Sequence, residues 1–144
     1  MAEQRETYLT ITYAGLSDVG LQRSENQDAY GKFPVDTNRL SYEKGQLFIV
    51  ADGLGGHQRG KEASELAVKI IQEYVESTSD SIPLNLKRAF EAANTAIYER
   101  TQRSSEPVTM GTTCVALLLT EHNPYIAHVG DSRVFRVSDE GIEQ

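Results

Sequence analysis

The sequence is poor in cysteine and contains no tryptophan. Its single cysteine, Cys114, has no partner in the chain for a disulfide, so a disulfide framework and a cysteine-rich metal site are both excluded. Cys114 lies in an apolar run, where a free cysteine usually packs as a small buried hydrophobic residue. We therefore predict that Cys114 belongs to the core.

Long apolar runs and an excess of positive charge are also missing. No stretch approaches the roughly 20 apolar residues of a membrane-spanning helix, and the first residues contain no apolar signal-peptide core. The net charge of −7 disfavours binding to nucleic acid or to an anionic membrane, because both depend on Lys and Arg. We therefore expect a cytoplasmic protein that binds neither nucleic acid nor membrane, and we expect it to be a monomer.

The length and the order of the predicted elements indicate one α+β domain. A chain of 144 residues, 39% of them hydrophobic, can bury a single core. Strand patterns come first, two helical patterns follow, and an antiparallel meander ends the chain, which predicts a helical pair on one face of a sheet. The predicted strands cover residues 9–13, 29–33, 47–51, 112–120, 125–129, 133–137 and 142 onward, the predicted helices cover residues 60–77 and 83–102, and residues 1–7 are expected to be a flexible lead.

The most informative stretch runs from Val50 to His57, where an apolar strand ends on Asp52. Three glycines follow within four residues, so the predicted loop beyond the strand lets a ligand approach the backbone closely. An ordinary Asp-Gly turn has the same pattern. A nucleotide-binding loop is disfavoured, because no Lys-Ser/Thr pair follows the glycines and their spacing differs from the dinucleotide fingerprint.

Two further carboxylates stand in comparable positions. Asp28 lies at a junction between loop and strand, and Asp131 lies in a glycine turn between two predicted strands. If Asp28 and Asp52 converge, they could hold hard cations such as Mg²⁺ or Mn²⁺ that activate water, with the carbonyl of Gly53 as a further ligand. Each aspartate alone could instead form a turn or cap a helix.

Arg23 and His57 complete the set of candidate residues. A guanidinium beside a carboxylate cluster can bind phosphate through two hydrogen bonds, and Arg23 precedes Asp28 by five residues. The alternative for Arg23 is a solvated surface arginine. His57 could donate a proton to a leaving group, because imidazole titrates near neutrality, or it could shape the glycine loop through hydrogen bonds.

Four segments, taken together, resemble the metal-dependent Ser/Thr protein phosphatases of the PPM type (type 2C) in their bacterial form. They occur in the family's order, and the resemblance covers nearly the whole chain from about Thr12 onward. The segments are Arg23-Ser24-Glu25-Asn26-Gln27-Asp28, Val50 to His57 with Gly60 and Ala63-Ser64, Met110-Gly111-Thr112-Thr113, and His128-Val129-Gly130-Asp131-Ser132-Arg133.

The resemblance implies a four-layer α-β-β-α sandwich, with two antiparallel sheets, helical pairs outside and a Mn²⁺ or Mg²⁺ pair at one end. It implies that Asp52 bridges both metals, that the carbonyl of Gly53 binds one of them, and that Asp28 contacts the metal-bound waters. It further implies that Arg23 grips the substrate phosphate and that Asp131 helps to hold a weaker third metal. The implied reaction is hydrolysis of phosphoserine and phosphothreonine in protein substrates by a metal-activated water, without a phosphoenzyme.

Two features depart from the family pattern. Leu54 stands where eukaryotic members often carry a histidine as proposed general acid, and His57 is the histidine typical of the bacterial form. Family catalytic domains are also longer, and their second half supplies two further metal-binding aspartates that this chain lacks. We therefore expect residues 1–144 to be the N-terminal portion of a catalytic domain, with part of the metal site and with apolar sheet surface uncovered. The alternative is a truncated, catalytically inactive domain that acts as a binding or regulatory module.

Overall fold

The computed structural model of the chain describes residues 9–35, 37, 45–56, 58–104 and 109–144, and these residues form seven strands and two helices. The elements are β1 (Asp28–Phe33), β2 (Gln46–Gly55), α1 (Arg59–Ser77), α2 (Ile82–Gln102), β3 (Met110–Thr112), β4 (Cys114–Leu119), β5 (Pro124–Val129), β6 (Arg136–Ser138) and β7 (Gly141–Glu143). The predicted flexible lead, residues 1–7, and His57 lie outside the described residues.

Strand β2 is the centre of the larger sheet. It pairs antiparallel with β1 on one side and with β4 on the other, and β5 continues the sheet beyond β4. The last residues of β2 pair with β3 instead, with Gly53 opposite Thr112 and Gly55 opposite Met110. The short β6–β7 hairpin forms a separate two-stranded sheet. Because β2 is paired on both sides, the residues that it carries are held in a fixed register.

The two helices cover one face of this sheet. In α1, Ala63, Ala67 and Ile71 recur at helical spacing and are buried. Helix α2 carries Pro83 in its first turn, where the missing amide hydrogen is tolerated. The predicted α+β class and the helical pair outside the sheet are confirmed, and so is the burial of Cys114. The core cluster consists of Leu47, Ile49, Ala51, Ala67, Val68, Ile71, Leu86, Ala89, Ala93, Cys114, Ala116 and Leu118.

The opposite face of the sheet carries apolar side chains that are partly uncovered. Tyr30, Val50 and Ile126 lie on this face and are 52%, 49% and 53% exposed. Toward one end the ring of Tyr13 packs on Phe48, with 5.7 Å between the ring centroids. Apolar residues on both faces are typical of a sheet that packs between two layers. The predicted uncovered surface is therefore present.

Three predicted strands differ from the structure. Residues 9–13, all of them described, form no continuous strand: Thr10 is a single bridge residue, and the side chains of Leu9 and Tyr13 are half exposed. Alternating side chains do not suffice, because a strand also needs a neighbour that takes up its backbone hydrogen bonds. The strand predicted over residues 112–120 is interrupted at Thr113, where the partnership of β2 changes from β4 to β3. Strand β6 begins at Arg136, later than the predicted start at residue 133.

The predicted glycine loop after Asp52 is wrong in its first part, because β2 continues through Gly53 and Leu54 to Gly55. Pairing with β3 holds this segment extended despite the weak strand preference of glycine. Neither α1 nor α2, the helices of the described residues, has the length and apolar character to cross a membrane.

Candidate active site

Asp28 and Asp52 lie directly opposite each other on β1 and β2. Side chains of directly opposed residues in an antiparallel pair point to the same face, with Cβ atoms about 4.5–5.5 Å apart. The two carboxyl groups are close enough for the charge of Asp28 to act on Asp52. The structure thus brings together the two residues on which the predicted metal site depends.

The surroundings of Asp52 raise the pKa of its carboxyl group. Asp52 is exposed, and the partial loss of water around its carboxyl group is the largest cause, because it disfavours the charged form; the negative charge of Asp28 comes next. The positive charge of Arg23 lowers the same pKa, while the proximity of the Asp28 carboxyl group and the charge of Asp131 raise it further. Arg23, Asp28 and Asp131 therefore all lie close enough to Asp52 to act on it electrostatically.

A polar loop before β1 fixes the side chain of Asp28. The hydroxyl of Ser17 donates a hydrogen bond to Asp28 Oδ2 at 2.8 Å, and Nδ2 of Asn26 donates to Ser17 Oγ at 2.8 Å. Asn26 Oδ1 in turn accepts a hydrogen bond from the N–H of Asp28 at 3.0 Å. Sequence reasoning missed Ser17, because one serine in a polar, turn-rich segment carries no signal of its own.

Thr113 connects Asp52 to the turn that carries Asp131. The N–H of Thr113 donates to the carbonyl oxygen of Asp52 at 2.9 Å, and the N–H of Asp52 donates to Thr113 Oγ1 at 3.3 Å. The same hydroxyl lies 2.5 Å from Ser132 Oγ. Gly130 has a φ of 93°, and a Cβ there would lie 2.7 Å from the side chain of Thr113. Thr113 lies in one of the four segments that resemble the phosphatase family, but the sequence pattern did not predict its hydrogen bonds with Asp52.

Gln27 holds both Arg23 and the glycine end of β2. Arg23 Nη1 donates to Gln27 Oε1 at 3.5 Å, and Gln27 Nε2 donates to the carbonyl oxygen of Gly55 at 3.3 Å. The backbone oxygen of Gln27 accepts a hydrogen bond from the N–H of Gly53 at 3.1 Å. Arg23, the predicted phosphate ligand, is exposed and stands at the same end of the sheet as the two aspartates.

The remaining predicted residues contribute less to the described geometry. Among the described residues, no three Asp, Glu, His or Cys side chains gather closely enough to hold a metal ion. Asp131 acts on Asp52 through its charge, and its predicted role at a weaker metal ion stays a prediction. His57 lies outside the described residues, so both of its predicted roles stay predictions.

The donors that do converge suit a hard divalent cation. Such ions prefer carboxylate oxygens, and Mg²⁺ is commonly held by one or two carboxylates while it keeps several waters. Asp28 and Asp52 meet this requirement, and a cation between them would offset the repulsion that raises the pKa of Asp52. Asp28 and Asp52 could therefore supply some of the ligands of a metal site.

The chain matches the family model described as Protein phosphatase 2C over residues 22–144. A putative protein phosphatase 2C-type from Streptococcus pyogenes is 38% identical over 128 residues, which cover 85% of this chain and 49% of the relative.

Solved structures resemble the fold as well. The serine/threonine phosphatase PstP/Ppp of Mycobacterium tuberculosis matches with a TM-score of 0.75 and 30% identity, over 94% of this chain and 54% of that chain. The catalytic domain of PstP in complex with two manganese ions matches with a TM-score of 0.67 and 25% identity, over 94% of this chain and 53% of that chain. The chain thus spans about half the length of these relatives. Because the family model extends over residues 22–144 and the site lies within them, the chain belongs to the protein phosphatase 2C family.

Proposed function

We propose that this chain is the N-terminal portion of a phosphatase catalytic domain that hydrolyses phosphoserine and phosphothreonine in phosphorylated proteins. The observation that carries the proposal is the direct pairing of Asp28 with Asp52 beside Arg23. Paired carboxylates can hold a cation and the guanidinium can hold an anion, and a phosphate monoester needs both. The serine/threonine phosphatases among the related structures support this substrate class.

Arg23 is the residue that recognises the phosphate of the substrate. Its guanidinium presents a planar fork of donors that matches two phosphate oxygens. The hydrogen bond to Gln27 Oε1 directs the side chain from one side, while the side chain remains exposed. This exposure suits a phosphorylated side chain that is presented on the surface of another protein.

Mn²⁺ or Mg²⁺ is the proposed cofactor, as two ions and a third that is bound more weakly. Asp28 and Asp52 would hold the pair together with the carbonyl of Gly53, and Asp131 would contribute to the weaker ion. When bound, such ions polarise phosphoryl oxygens and lower the pKa of water. The two manganese ions in the PstP catalytic domain support this choice of metal.

In the net reaction the phosphoryl group moves from the serine or threonine oxygen to water. The ester P–O bond breaks, a P–O bond to the water oxygen forms, and the side-chain hydroxyl leaves with a proton. Ser17 holds the carboxylate of Asp28, and Thr113 holds the backbone of Asp52, so both residues keep their positions on the sheet during the reaction. His57 is the candidate donor of the proton to the leaving oxygen.

A second function is favoured by one observation. No metal-binding group of three side chains exists among the described residues, and two carboxylates alone make a weak site. This fits a catalytically inactive phosphatase-like domain that serves as a binding or regulatory module. The two functions differ in whether the protein releases phosphate and whether this activity requires Asp52.

Phosphate release from a phosphothreonine peptide separates the two functions. The 144-residue chain and, where the reading frame continues, the longer product would be assayed with and without Mn²⁺. We expect little or no turnover by the chain alone and Mn²⁺-dependent turnover by the longer product. Asp52→Asn should abolish this turnover, whereas Asp139→Asn, an exposed acid in the β6–β7 turn, should leave it unchanged.

The other outcomes of this assay would contradict different parts of the proposal. Turnover that survives Asp52→Asn would contradict the site. Turnover by the 144-residue chain at a rate typical of an enzyme would contradict the need for a second half. No turnover by either form would favour the binding or regulatory module.

A further inference from the structure

The backbone oxygen of Gln27 joins three segments of the chain. It accepts a hydrogen bond from Ser64 Oγ on α1 at 2.7 Å and another from the N–H of Gly53 on β2 at 3.1 Å. Gln27 directly precedes Asp28, and Gly53 directly follows Asp52. A single oxygen atom therefore ties together the backbone positions next to both carboxylates.

Ser64 stands where packing alone would accept alanine. Its side chain is fully buried on the face of α1 that also buries Ala63 and Ala67. Ser64 Oγ also lies 3.0 Å from the carbonyl oxygen of Lys61 in the same helix. A hydroxyl has only one proton to donate, and the contact with Gln27 is the shorter of the two. The serine thus adds a donor that reaches an acceptor outside its own helix.

Two glycines allow α1, β2 and Gln27 to come this close. A Cβ on Gly53 would overlap the carbonyl of Gly60 and would lie 2.6 Å from the backbone oxygen of Gln27. A Cβ on Gly60 would lie 2.8 Å from Cδ of Gln27. Real Cβ atoms essentially never approach other atoms within 3.0 Å. At Gly53 the obstructing atoms belong to the backbone, so only glycine fits there, whereas at Gly60 the end of the Gln27 side chain would have to move. The close approach that the hydrogen bond of Ser64 requires therefore depends above all on Gly53.

The pairing of β1 with β2 ends at the two carboxylates. Asp28 and Asp52 form the end pair of this ladder, and the described pairs run from there toward Phe33 and Leu47. The ends of a ladder open more readily than its middle. The positions on the open side of the pair are Gln27 and Gly53, which are held by the shared hydrogen bonds at the Gln27 oxygen.

We propose that Ser64 is a positioning residue, whose hydroxyl holds the carbonyl of Gln27 and thereby sets the backbone spacing between Asp28 and Asp52. The side chain of Gln27 extends the effect to Arg23, which donates to Gln27 Oε1. The inference rests on the proposed function only in taking the two aspartates as parts of the active site.

Amide hydrogen exchange of Gly53, measured by NMR on the metal-free chain, tests this role directly. Ser64→Ala removes the donor and leaves the Gln27 oxygen with one hydrogen bond fewer. We expect Gly53 to exchange roughly two- to tenfold faster relative to Ile49, since one protein hydrogen bond changes an equilibrium by about this factor. Ile49 lies buried in the middle of β2 and reports the stability of the whole sheet.

The matched control is Asn85→Ala. Asn85 is also buried, and its Nδ2 donates to the carbonyl oxygen of Val75 at 3.4 Å, near the opposite end of α1. This variant should change the exchange of Gly53 and Ile49 in the same proportion. Ser64→Cys keeps the size of the side chain but donates weakly, so its ratio of Gly53 to Ile49 exchange should lie between those of wild type and Ser64→Ala. If Ser64→Ala fails to fold, Ser64→Cys is compared with Asn85→Ala instead. If the ratio of Gly53 to Ile49 is the same in Ser64→Ala and Asn85→Ala, the positioning role is wrong.

Titration with Mn²⁺ alone separates this inference from the proposed function. Weaker Mn²⁺ binding by Ser64→Ala than by Asn85→Ala supports both. If the wild-type chain binds no Mn²⁺, the proposed metal site of this chain is contradicted. The exchange ratio of Gly53 to Ile49 still decides the role of Ser64, because it is measured without metal and without turnover.

Discussion

The guanidinium of Arg100 on α2 lies 2.5 Å from the carboxylate of Glu62 on α1, and Arg59 lies 3.1 Å from the same carboxylate. Glu62 therefore links the first turn of α1 to the last turn of α2. The hydrogen bond from Arg100 is the largest cause of a lowered pKa of the Glu62 carboxyl group. This link holds the part of α1 from which Gly60 and Ser64 reach the candidate site.

Glu62→Gln should lower the stability of the chain at neutral pH and leave it unchanged in acid. Because the pKa of Glu62 is lower in the folded chain than its ordinary value of 4.5, the stabilisation is complete above that value and is lost as the pH falls through the folded pKa. The Glu62 side chain is 29% exposed, so we expect a loss of about 1 kcal/mol or less. Urea unfolding at neutral and at acid pH measures the difference.

Glu73→Gln is the control for this prediction. Glu73 also lies on α1, but its carboxylate is 3.9 Å from Lys69 and the side chain is 62% exposed. This substitution should leave the free energy of unfolding unchanged at both pH values. Equal losses for Glu62→Gln and Glu73→Gln would mean that the link between the helices contributes nothing specific.

The thiol of Cys114 should be inert in the folded chain. Burial raises the pKa of this thiol to about 12, from an ordinary value of 9.0. Thiolate, the reactive form, is therefore almost absent at neutral pH, and the surrounding core residues shield the sulfur. An aromatic disulfide reagent should label the chain only after urea is added. Rapid labelling of the native chain would contradict the predicted burial.

The helices could be predicted from the sequence because their burial follows one period. Ala63, Ala67 and Ile71 mark the buried face of α1, and Pro83 marks the start of α2. The apolar run that ends at Asp52 likewise predicts the centre of the sheet. In these elements the local pattern and the tertiary burial agree.

The contacts around the two aspartates could not be predicted in the same way. Ser17 and Thr113 are ordinary polar residues in the sequence, and their roles depend on hydrogen bonds between distant segments. Gly53 and Gly55 read as a loop because glycine has low strand preference, but pairing with β3 keeps them extended. Residues 9–13 alternate like a strand, although the structure provides only one bridge residue.

Gly53→Ala should destabilise the chain far more than Gly56→Ala. The added methyl group on Gly53 would meet the backbone of Gly60 and Gln27, which cannot move aside as a flexible side chain can. Overpacking of this kind lowers the free energy of unfolding by roughly 1–3 kcal/mol. We expect a value near the upper end of this range, because the backbone here is rigid. At Gly56 an added Cβ has no atom within 4 Å, and the backbone is not in the left-handed region. Urea unfolding compares the two variants, and equal midpoints would contradict the close packing of α1 on β2.

The uncovered sheet face should make the isolated chain bind an apolar fluorescent dye. Tyr30, Val50 and Ile126 expose about half of their surface there, which is a binding surface for apolar molecules. Ile126→Lys should reduce dye binding, because it places a charge on this face. Leu21→Lys changes the net charge equally in a fully exposed loop position and should have a smaller effect. If both variants bind the dye as wild type does, the face is covered in solution.

If the proposed phosphatase activity is present in the longer product described above, Arg23→Ala should raise its KM for phosphate esters and leave kcat nearly unchanged. A hydrogen bond to a charged group contributes about 1.5–3 kcal/mol, which corresponds to a roughly ten- to hundredfold rise in KM. Arg23→Lys keeps the charge but loses the planar fork of donors, so we expect an intermediate KM.

Arg88→Ala removes the same charge from the start of α2, where Arg88 pairs with Asp80 at 2.6 Å, and it should leave KM unchanged. If KM rises equally for Arg88→Ala and Arg23→Ala, the loss of one positive charge explains the effect, and a specific phosphate contact of Arg23 is contradicted. An unchanged KM for Arg23→Ala would contradict the phosphate-binding role. A fall in kcat with KM unchanged would instead place the contribution of Arg23 in the transition state, because only interactions made there alter the chemical step alone.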